Sequence, residues 1–215
     1  GVPAAVRDAA WLDILRLESD LTSEHAKATI DLSTEQGFPS WLALGTLLRG
    51  WAFGVQGQVE EGVGQIHDGL AAWRAAGSEV WRSRWLVLLA EALGKGGQVE
   101  AGLTAVDEAL ACVERTEERS YEAELHRLQG ALLLQQSPDN HQKADACFHQ
   151  ALKVARRQEA KSWELRAATS LARLWQQQGK TAEACDLLAP VYGWFTEGFE
   201  TADLQEAKAL LEDLA

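Results

Sequence analysis

Several features are scarce in this sequence, and each scarcity argues against a class of protein. The 215 residues include only four prolines and no apolar run long enough for a membrane-spanning helix. No charged-then-apolar leader opens the chain, so we expect no secretory signal. Because the chain begins at Gly1 and contains no methionine, we expect it to be part of a longer protein.

Positive charge and cysteine are also scarce. The chain has 20 Lys and Arg against 32 Asp and Glu, a formal net charge of -12. Such a surface repels phosphate backbones and anionic lipids, so we expect neither nucleic acid nor membrane as a partner. The three cysteines, Cys112, Cys147 and Cys185, are far apart and odd in number. This usage is typical of a reducing, cytoplasmic setting.

The sequence does contain a clear internal repeat. Residues 57–62 read GQVEEG, and the stretch at 97–102 reads GQVEAG. Recurrence at a fixed interval, here about 40 residues, is typical of stacked helical repeats. In such arrays each repeat covers the apolar face of its neighbour.

Small and large residues keep the same repeat phase along most of the chain. Small residues stand seven positions before each turn, large apolar residues follow them by three, and small residues return after the turn. The positions are Gly50, Ala90, Gly130 and Ala172; Phe53, Leu93, Leu133 and Trp175; the turns at Gly57, Gly97, Ser137 and Gly179; and Gly62, Gly102, Ala144 and Ala184.

This pattern predicts an all-α fold, a right-handed α-solenoid of antiparallel helix pairs. The predicted hairpins span residues 3–37, 38–77, 78–118, 119–160 and 161–198, and residues 201–214 form a capping helix. We expect Leu204, Ala207, Leu211 and Leu214 to be the apolar stripe of that cap, with Asp203 and Glu206 facing outward. A single solenoid would then cover residues 1–215.

Aromatic residues recur at the start of successive first helices. Trp41, Trp81, Tyr121 and Trp163 follow the repeat, and the last interval is slightly longer because of an insertion at 137–142. Packing at the joint between repeats is the favoured interpretation, because large aromatics mostly serve cores. The alternative is an aromatic strip that faces a ligand.

The repeat resembles the tetratricopeptide family, on the small and bulky positions of the stretches 43–70, 86–110 and 170–192. The units here are longer, about 40 residues against about 34 in the ordinary family unit. Long units of this kind resemble the C-terminal tails of bacterial signalling proteins that carry cyclase, STAND-type ATPase or transcription-regulator domains. The resemblance implies a non-catalytic module that docks a partner or upstream domains of its own chain.

No motif predicts catalysis, a cofactor or a metal. Residues 179–181, GKT, lack the earlier glycine and the strand that a phosphate-binding loop requires, and the repeat turn explains them. The five histidines form no HExxH motif and have no cysteine at ligand spacing. We therefore expect no enzymatic activity, no cofactor and no bound metal.

The resemblance also implies a concave face lined by the first helices, where a partner would bind. The residues predicted to line it are Trp51, Arg84, Glu91, Lys95, Arg127, Arg166, Arg173 and Gln177. Because arginine makes bidentate contacts to carboxylates, we expect an acidic peptide or a carboxy-terminus to dock there. Two alternatives stay open: a merely solvated mixed surface, and a small-ligand sensor that controls an upstream domain.

Overall fold

The computed structural model describes residues 19–77 and 81–215, and these fall into two compact units, residues 1–118 and 119–215. The boundary between the units coincides with a predicted boundary between hairpins. The first helix of the first predicted hairpin, with the N-terminal part of that hairpin, lies outside the described residues. That one continuous solenoid covers the whole chain stays a prediction.

In residues 19–77 and 81–118, the described part of the first unit, one helix is followed by two antiparallel pairs. Its helices are α1 (Ser19–Gln36), α2 (Pro39–Val55), α3 (Val59–Ala75), α4 (Arg82–Lys95) and α5 (Val99–Thr116). Helices α2 and α3 form one pair, α4 and α5 form the next, and α1 packs against α2. The first helices of the two pairs, α2 and α4, also contact each other.

The second unit contains two further pairs and a single closing helix. Its helices are α6 (Glu122–Gln136), α7 (His141–Arg157), α8 (Lys161–Gln177), α9 (Thr181–Tyr192) and α10 (Ala202–Leu214). The pairs are α6 with α7 and α8 with α9, and α10 packs against both α8 and α9. Across residues 19–77 and 81–215 there is no strand, so the predicted all-α class of antiparallel helix pairs is confirmed.

Glycine ends the first helix of most pairs, as the repeat predicts. Gly57 has φ +90° and Gly179 has φ +75°, values that side chains with a Cβ rarely adopt. After Gly57, the Gln58 amide donates to the Phe53 carbonyl at 2.8 Å, which satisfies a free carbonyl at the helix end. The pair α6 and α7 instead uses a 3₁₀ turn, Pro138–Asn140, which accounts for its longer repeat.

A left-handed residue also lies directly after, or within two residues of, the ends of α1, α3, α5 and α7. Gly37, Gly77, Glu117 and Glu159 have φ values of +70°, +78°, +59° and +55°. These positions stand at the same place in successive repeats, so the backbone conformation follows the repeat even where the residue is not glycine. At this position the left-handed backbone conformation recurs in all four repeats, whereas the residue type changes.

The small residues of the repeat lie where paired helices touch. A Cβ added to Gly62 of α3 would lie 2.6 Å from the Gly50 carbonyl oxygen and 2.6 Å from the Gly54 nitrogen of α2. Contacts that short are impossible for a side chain, so the two backbones approach each other directly. In α8 and α9 the equivalent residues are Ala172 and Ala184, both fully buried.

The aromatic residues at the starts of the first helices are partly or fully covered. Tyr121 is buried and its ring lies 5.2 Å from that of Trp163, in an edge-to-face arrangement. The Trp81 ring stacks on Trp73 at 6.2 Å, and Trp73 contacts Trp85 at 5.8 Å. These contacts are those of packing at the joints between pairs, which is the interpretation favoured by the sequence.

The closing helix α10 differs in detail from the prediction. Leu204, Ala207, Leu210 and Leu214 are buried, and Leu211 is only partly buried. Asp203 was expected to face outward, but its side chain is only 16% exposed because it pairs with Arg166 of α8. No helix in the described ranges is both long and apolar enough to cross a membrane.

Candidate functional site

The first helices of the second unit lie side by side with the closing helix, and their polar residues form one surface. Helix α8 contacts both α6 and α10. We call the surface that they share the arginine face. It consists of Glu124 and Arg127 of α6, Arg166, Arg173 and Gln177 of α8, and Asp203 and Glu206 of α10.

Arg166 connects the three helices of the arginine face. Its Nε donates to Asp203 Oδ2 at 2.7 Å, and its Nη1 lies 3.7 Å from Glu124 Oε1. The guanidinium carbon also lies 4.9 Å from the centre of the Trp163 ring. Only 13% of the Arg166 side chain is exposed, so these contacts hold it in place and it links the helices of the face.

Arg127 is occupied in a similar way. Its Nε and Nη2 donate to the two oxygens of Glu124 at 2.8 and 2.7 Å, a bidentate pair within α6. Glu124 is only 5% exposed, so this pair is shielded from solvent and is stronger than a surface pair. A ligand carboxylate at Arg127 would have to displace a buried carboxylate.

Arg173 is the arginine of this face that a partner can reach most easily. Its Nη2 lies 2.9 Å from Glu206 Oε1, and both side chains are 50% exposed. Exposed ion pairs of this kind contribute about 0–1 kcal/mol, so replacing Glu206 with a ligand carboxylate costs little. Gln177 is exposed one helical turn further along α8 and extends the same stripe.

Burial and neighbouring charges together shift the pKa of Asp203. Burial raises the pKa of Asp203 above its ordinary value, and the attraction of Arg166 offsets only part of that effect. Burial alone would lower the pKa of Arg166, but Glu124 and Asp203 reverse the direction and raise it. Because a guanidinium does not lose its proton in proteins, Asp203 is the titrating member of this pair.

A second set of ion pairs repeats along the unit. Glu122 and Glu164 occupy equivalent repeat positions and are each 6% exposed. Arg157 Nη2 donates to Glu122 at 3.1 Å, and Arg156 Nε donates to Glu164 at 2.8 Å. Lys161 adds a 2.7 Å bond to Glu164. These bonds tie the end of α7 to the start of the neighbouring first helices.

In the first unit the predicted site residues divide between core and surface. Trp51 is 1% exposed and its Nε1 donates to Glu91 Oε2 at 2.9 Å, so its predicted contact with a partner is wrong: its ring packs in the core. Glu91 also pairs with Lys95 at 3.2 Å. Arg84 lies 5.1 Å from the centre of the Trp81 ring. All three polar residues lie on α4.

The sequence pattern identified the arginines of α6 and α8 but missed their partners. Asp203 and Glu206 belong to α10, which has no repeat phase, so no spacing relates them to Arg166 and Arg173. Glu124 and Arg166, in contrast, occupy the same repeat position in successive first helices. Opposite charges at one repeat position were the available signal for a pair between neighbouring helices.

Metal-ligating side chains do not gather in the part of the chain that the structure describes. No group of three or more His, Cys, Asp or Glu side chains is placed to hold an ion there. His126 is partly buried, and burial lowers its pKa against the opposing effects of Glu122 and Gln129. None of the three cysteines forms a disulfide.

Comparison with known proteins gives structural neighbours only. No family model matches the sequence, and no curated protein matches it. The chain is similar to Bacillus thuringiensis PlcR, solved in complex with the peptide PapR7 and DNA, with a TM-score of 0.78 and 11% identity. That alignment covers 99% of this chain and 74% of PlcR.

Two other solved structures are similar over most of their length. One is a putative kinesin light chain from Podosopora anserina with nearly identical TPR-like repeats, at TM-score 0.60 and 17% identity, covering 88% of this chain and 92% of that one. The other is BtubC from P. vanneervenii, at TM-score 0.62 and 14% identity, covering 94% and 89%. The chain therefore has a TPR-like helical-repeat fold, and the predicted α-solenoid class is confirmed.

Proposed function

We propose that this chain is a non-catalytic protein-interaction module that binds a peptide on the arginine face. The observation that carries the proposal is the contrast within that face between fixed and reachable charges. Arg166 and Arg127 are held by buried carboxylates, whereas Arg173 and Gln177 are exposed along one stripe of α8. A rigid base with a few reachable polar groups suits a preformed peptide groove.

The charge of the face makes the expected ligand more specific. Three arginines stand against three carboxylates, Glu124, Asp203 and Glu206, so the face is locally neutral within an acidic chain. A uniformly acidic peptide gains little from such a surface. A peptide with one carboxylate for Arg173 and polar or apolar neighbours is the ligand that we expect.

Two structural neighbours and the state of the cysteines support the wider proposal. PlcR, which shares the fold, was solved with a bound peptide, and the kinesin light chain neighbour is described as having TPR-like repeats. The unpaired cysteines suit a reducing, cytoplasmic compartment. We propose further that the module belongs to a larger bacterial signalling protein, because its long repeat units resemble those in the C-terminal tails of such proteins. The expectation that it has no nucleic-acid partner rests on net charge alone.

A peptide selection tests the proposal. Phage-displayed random peptides would be selected on the immobilised chain, and the recovered peptides would be titrated as fluorescent conjugates by anisotropy. We expect Arg173→Ala to weaken binding about tenfold or more, the loss of one charge-assisted hydrogen bond. The matched control is Lys208→Ala, which removes an exposed cation that pairs with Glu212 on α10.

The two variants give a clear decision. Both remove a positive charge from the second unit and both lie on exposed ion pairs, so a non-specific electrostatic effect would be the same in each. Binding that falls in Arg173→Ala and is retained in Lys208→Ala supports the arginine face. Equal affinity in both variants, or no selected peptide at all, would contradict the proposal.

A further inference from the structure

The loop between α9 and α10, residues 193–201, displays aromatic side chains that the proposed function does not use. We call it the aromatic loop. Of the tryptophans that the structure describes, Trp194 is the only exposed one, at 57%, and Phe199 in the same loop is 46% exposed. Large apolar side chains exposed together are typical of binding surfaces, and tryptophan is enriched among the residues that dominate binding energy.

Contacts with the core of the second unit hold the aromatic loop in place. Tyr192 and Phe195 pack against that core. The Phe195 ring lies 5.2 Å from that of Trp194, and the Tyr192 ring lies 5.9 Å from that of Phe199, so each exposed ring contacts an anchored one. At the end of the loop, the amide and the hydroxyl of Thr201 both donate to the carbonyl three residues earlier, at 2.9 and 2.8 Å. A surface fixed in this way loses little conformational entropy when a partner binds.

The aromatic loop lies at one end of the arginine face. Lys161 Nζ, at the start of α8, lies 5.6 Å from the centre of the Trp194 ring. The loop leads directly into α10, whose Asp203 accepts a hydrogen bond from Arg166, in the second turn of α8. The loop is therefore beside the first turns of α8, and the exposed Arg173 lies further along the same helix.

The aromatic loop and the reachable part of the arginine face favour opposite charges in a ligand. Glu197 and Glu200 are exposed, and neither forms an ion pair with any residue in the described ranges. Lys161, the cation that contacts the loop, is bonded to Glu164 at 2.7 Å. A cationic side chain is therefore favoured beside the loop, whereas a carboxylate is favoured at Arg173.

We propose that the peptide ligand of the arginine face also binds the aromatic loop, through an apolar side chain next to a lysine or arginine. This role of the loop rests on the proposed function and adds the composition and length of the ligand. Helix α8 rises about 1.5 Å per residue, so Lys161 and Arg173 are about 18 Å apart along it. An extended peptide covers about 3.3 Å per residue and spans this distance with about five or six residues. The ligand therefore carries its apolar and basic residues about five or six positions from its carboxylate.

Synthetic peptides of different spacing test the ligand by fluorescence anisotropy on the full chain. Each peptide carries fluorescein, a lysine followed by a phenylalanine, a run of serines of variable length and one glutamate, with an amidated C-terminus. The set is made in both chain directions, because an extended peptide can lie either way. We expect the tightest binding with about four or five serines, since shorter peptides cannot reach both ends and longer ones gain less from the second contact. Alanine in place of the phenylalanine should weaken the best peptide about tenfold.

Trp194→Ala tests the apolar contact. It should weaken the best peptide about tenfold, and the melting midpoint should change little because more than half of this side chain is exposed. The matched control Phe38→Ala removes an exposed aromatic ring from the first unit, and affinity should change less than about twofold.

A double variant tests the charge of the loop. Glu197→Gln combined with Glu200→Gln should weaken the best peptide about threefold, because exposed carboxylates contribute only modestly to binding. The matched control combines Glu183→Gln with Asp186→Asn, which removes the same charge from exposed positions of α9. An equal loss in both double variants would mean that the lysine of the peptide responds only to the net charge of the chain.

The variants distinguish the two proposals. Affinity that does not depend on spacing, or that Trp194→Ala leaves unchanged while Arg173→Ala lowers it, would overturn the role of the aromatic loop and leave peptide binding at the arginine face intact. Absence of binding by every peptide of the set would also overturn that role. Affinity that falls in Trp194→Ala and is retained in Arg173→Ala would instead contradict the proposed function.

Discussion

Two helix pairs, α2 with α3 in the first unit and α8 with α9 in the second, pack closely through different small residues. In α2 and α3 the contact positions are Gly50 and Gly62, and the backbones touch so closely that no methyl group fits. In α8 and α9 the same repeat positions hold Ala172 and Ala184, both fully buried. The repeat therefore requires a small residue, while the distance between the two backbones decides whether alanine is small enough.

The two units also differ in how polar residues support the packing. In the second unit Glu122, Glu124 and Glu164 are buried and paired with arginine or lysine. In the first unit the joint between pairs is mainly aromatic, with Trp73 in contact with the rings of Trp81 and Trp85, and Glu91 accepts a hydrogen bond from Trp51 there. The first unit therefore depends mainly on shape and aromatic packing, and the second depends also on buried carboxylates that pair with arginine or lysine.

Substitution of the contact glycine Gly62 should have the largest effect on stability among these tests. Gly62→Ala places a methyl group within 2.6 Å of two backbone atoms of α2, so the helices must separate. We expect a loss of about 3 kcal/mol in the free energy of unfolding, measured by urea denaturation. The matched control is Gly64→Ala in the same helix, where no atom lies within 4 Å and alanine should be neutral or stabilising.

The next effect in size should come from the ion pairs of the second unit. Arg166→Gln leaves Asp203 and Glu124 without their shared cation in a region that is largely shielded from water. We expect a loss of about 2 kcal/mol, less than for a fully buried pair, because these side chains keep 13% and 16% exposure. Hydrogen exchange should show the loss in α8 and α10. Unchanged exchange there would mean that the pair contributes nothing.

The aromatic joint of the first unit should be somewhat less sensitive. Trp81→Ala removes the stacking on Trp73 and the contact with the Arg84 guanidinium. Because Trp81 is only partly buried, we expect a loss of about 1.5 kcal/mol and a lower thermal midpoint. An unchanged midpoint would assign the aromatic column to the surface and would favour the ligand-facing alternative.

The lowered pKa of Glu164 predicts a pH dependence of stability in the second unit. Burial would raise the pKa of Glu164, but bonds from Lys161 and Arg156 outweigh it and lower the pKa. A depressed pKa in the folded state stabilises the fold above the unfolded value, and that contribution is lost as pH falls through the folded value. Glu164→Gln should therefore lower the free energy of unfolding more at neutral pH than at a pH below the folded pKa. Denaturation curves of wild type and variant at both pH values measure this difference. An equal cost under both conditions would contradict this assignment.

The smallest expected effect concerns the left-handed junctions. Glu159 has φ +55°, whereas the equivalent Gly37 and Gly77 of the first unit adopt the same region without a Cβ. Glu159→Gly should raise the free energy of unfolding by about 0.5 kcal/mol, since relief of strain exceeds the added entropy of the unfolded chain. The control Glu183→Gly, at an exposed residue in the first turn of α9, should be destabilising instead.

The sequence by itself determined the helix pairs and their phase. Small residues, turn glycines and aromatics that recur at a regular interval predicted antiparallel helix pairs joined by short turns, because helix packing is local and repeats along the chain. It also placed Arg127, Arg166 and Arg173 on first helices, since the repeat phase fixes which helix of a pair a residue belongs to.

Tertiary structure alone decided which of those residues a partner can reach. Trp51 is in the core because α4 covers it and supplies Glu91 as its hydrogen-bond acceptor. Asp203 neutralises Arg166 because α10, which has no repeat phase, packs across α8. Burial and charge pairing depend on neighbours distant in sequence, and a periodic pattern carries no information about them.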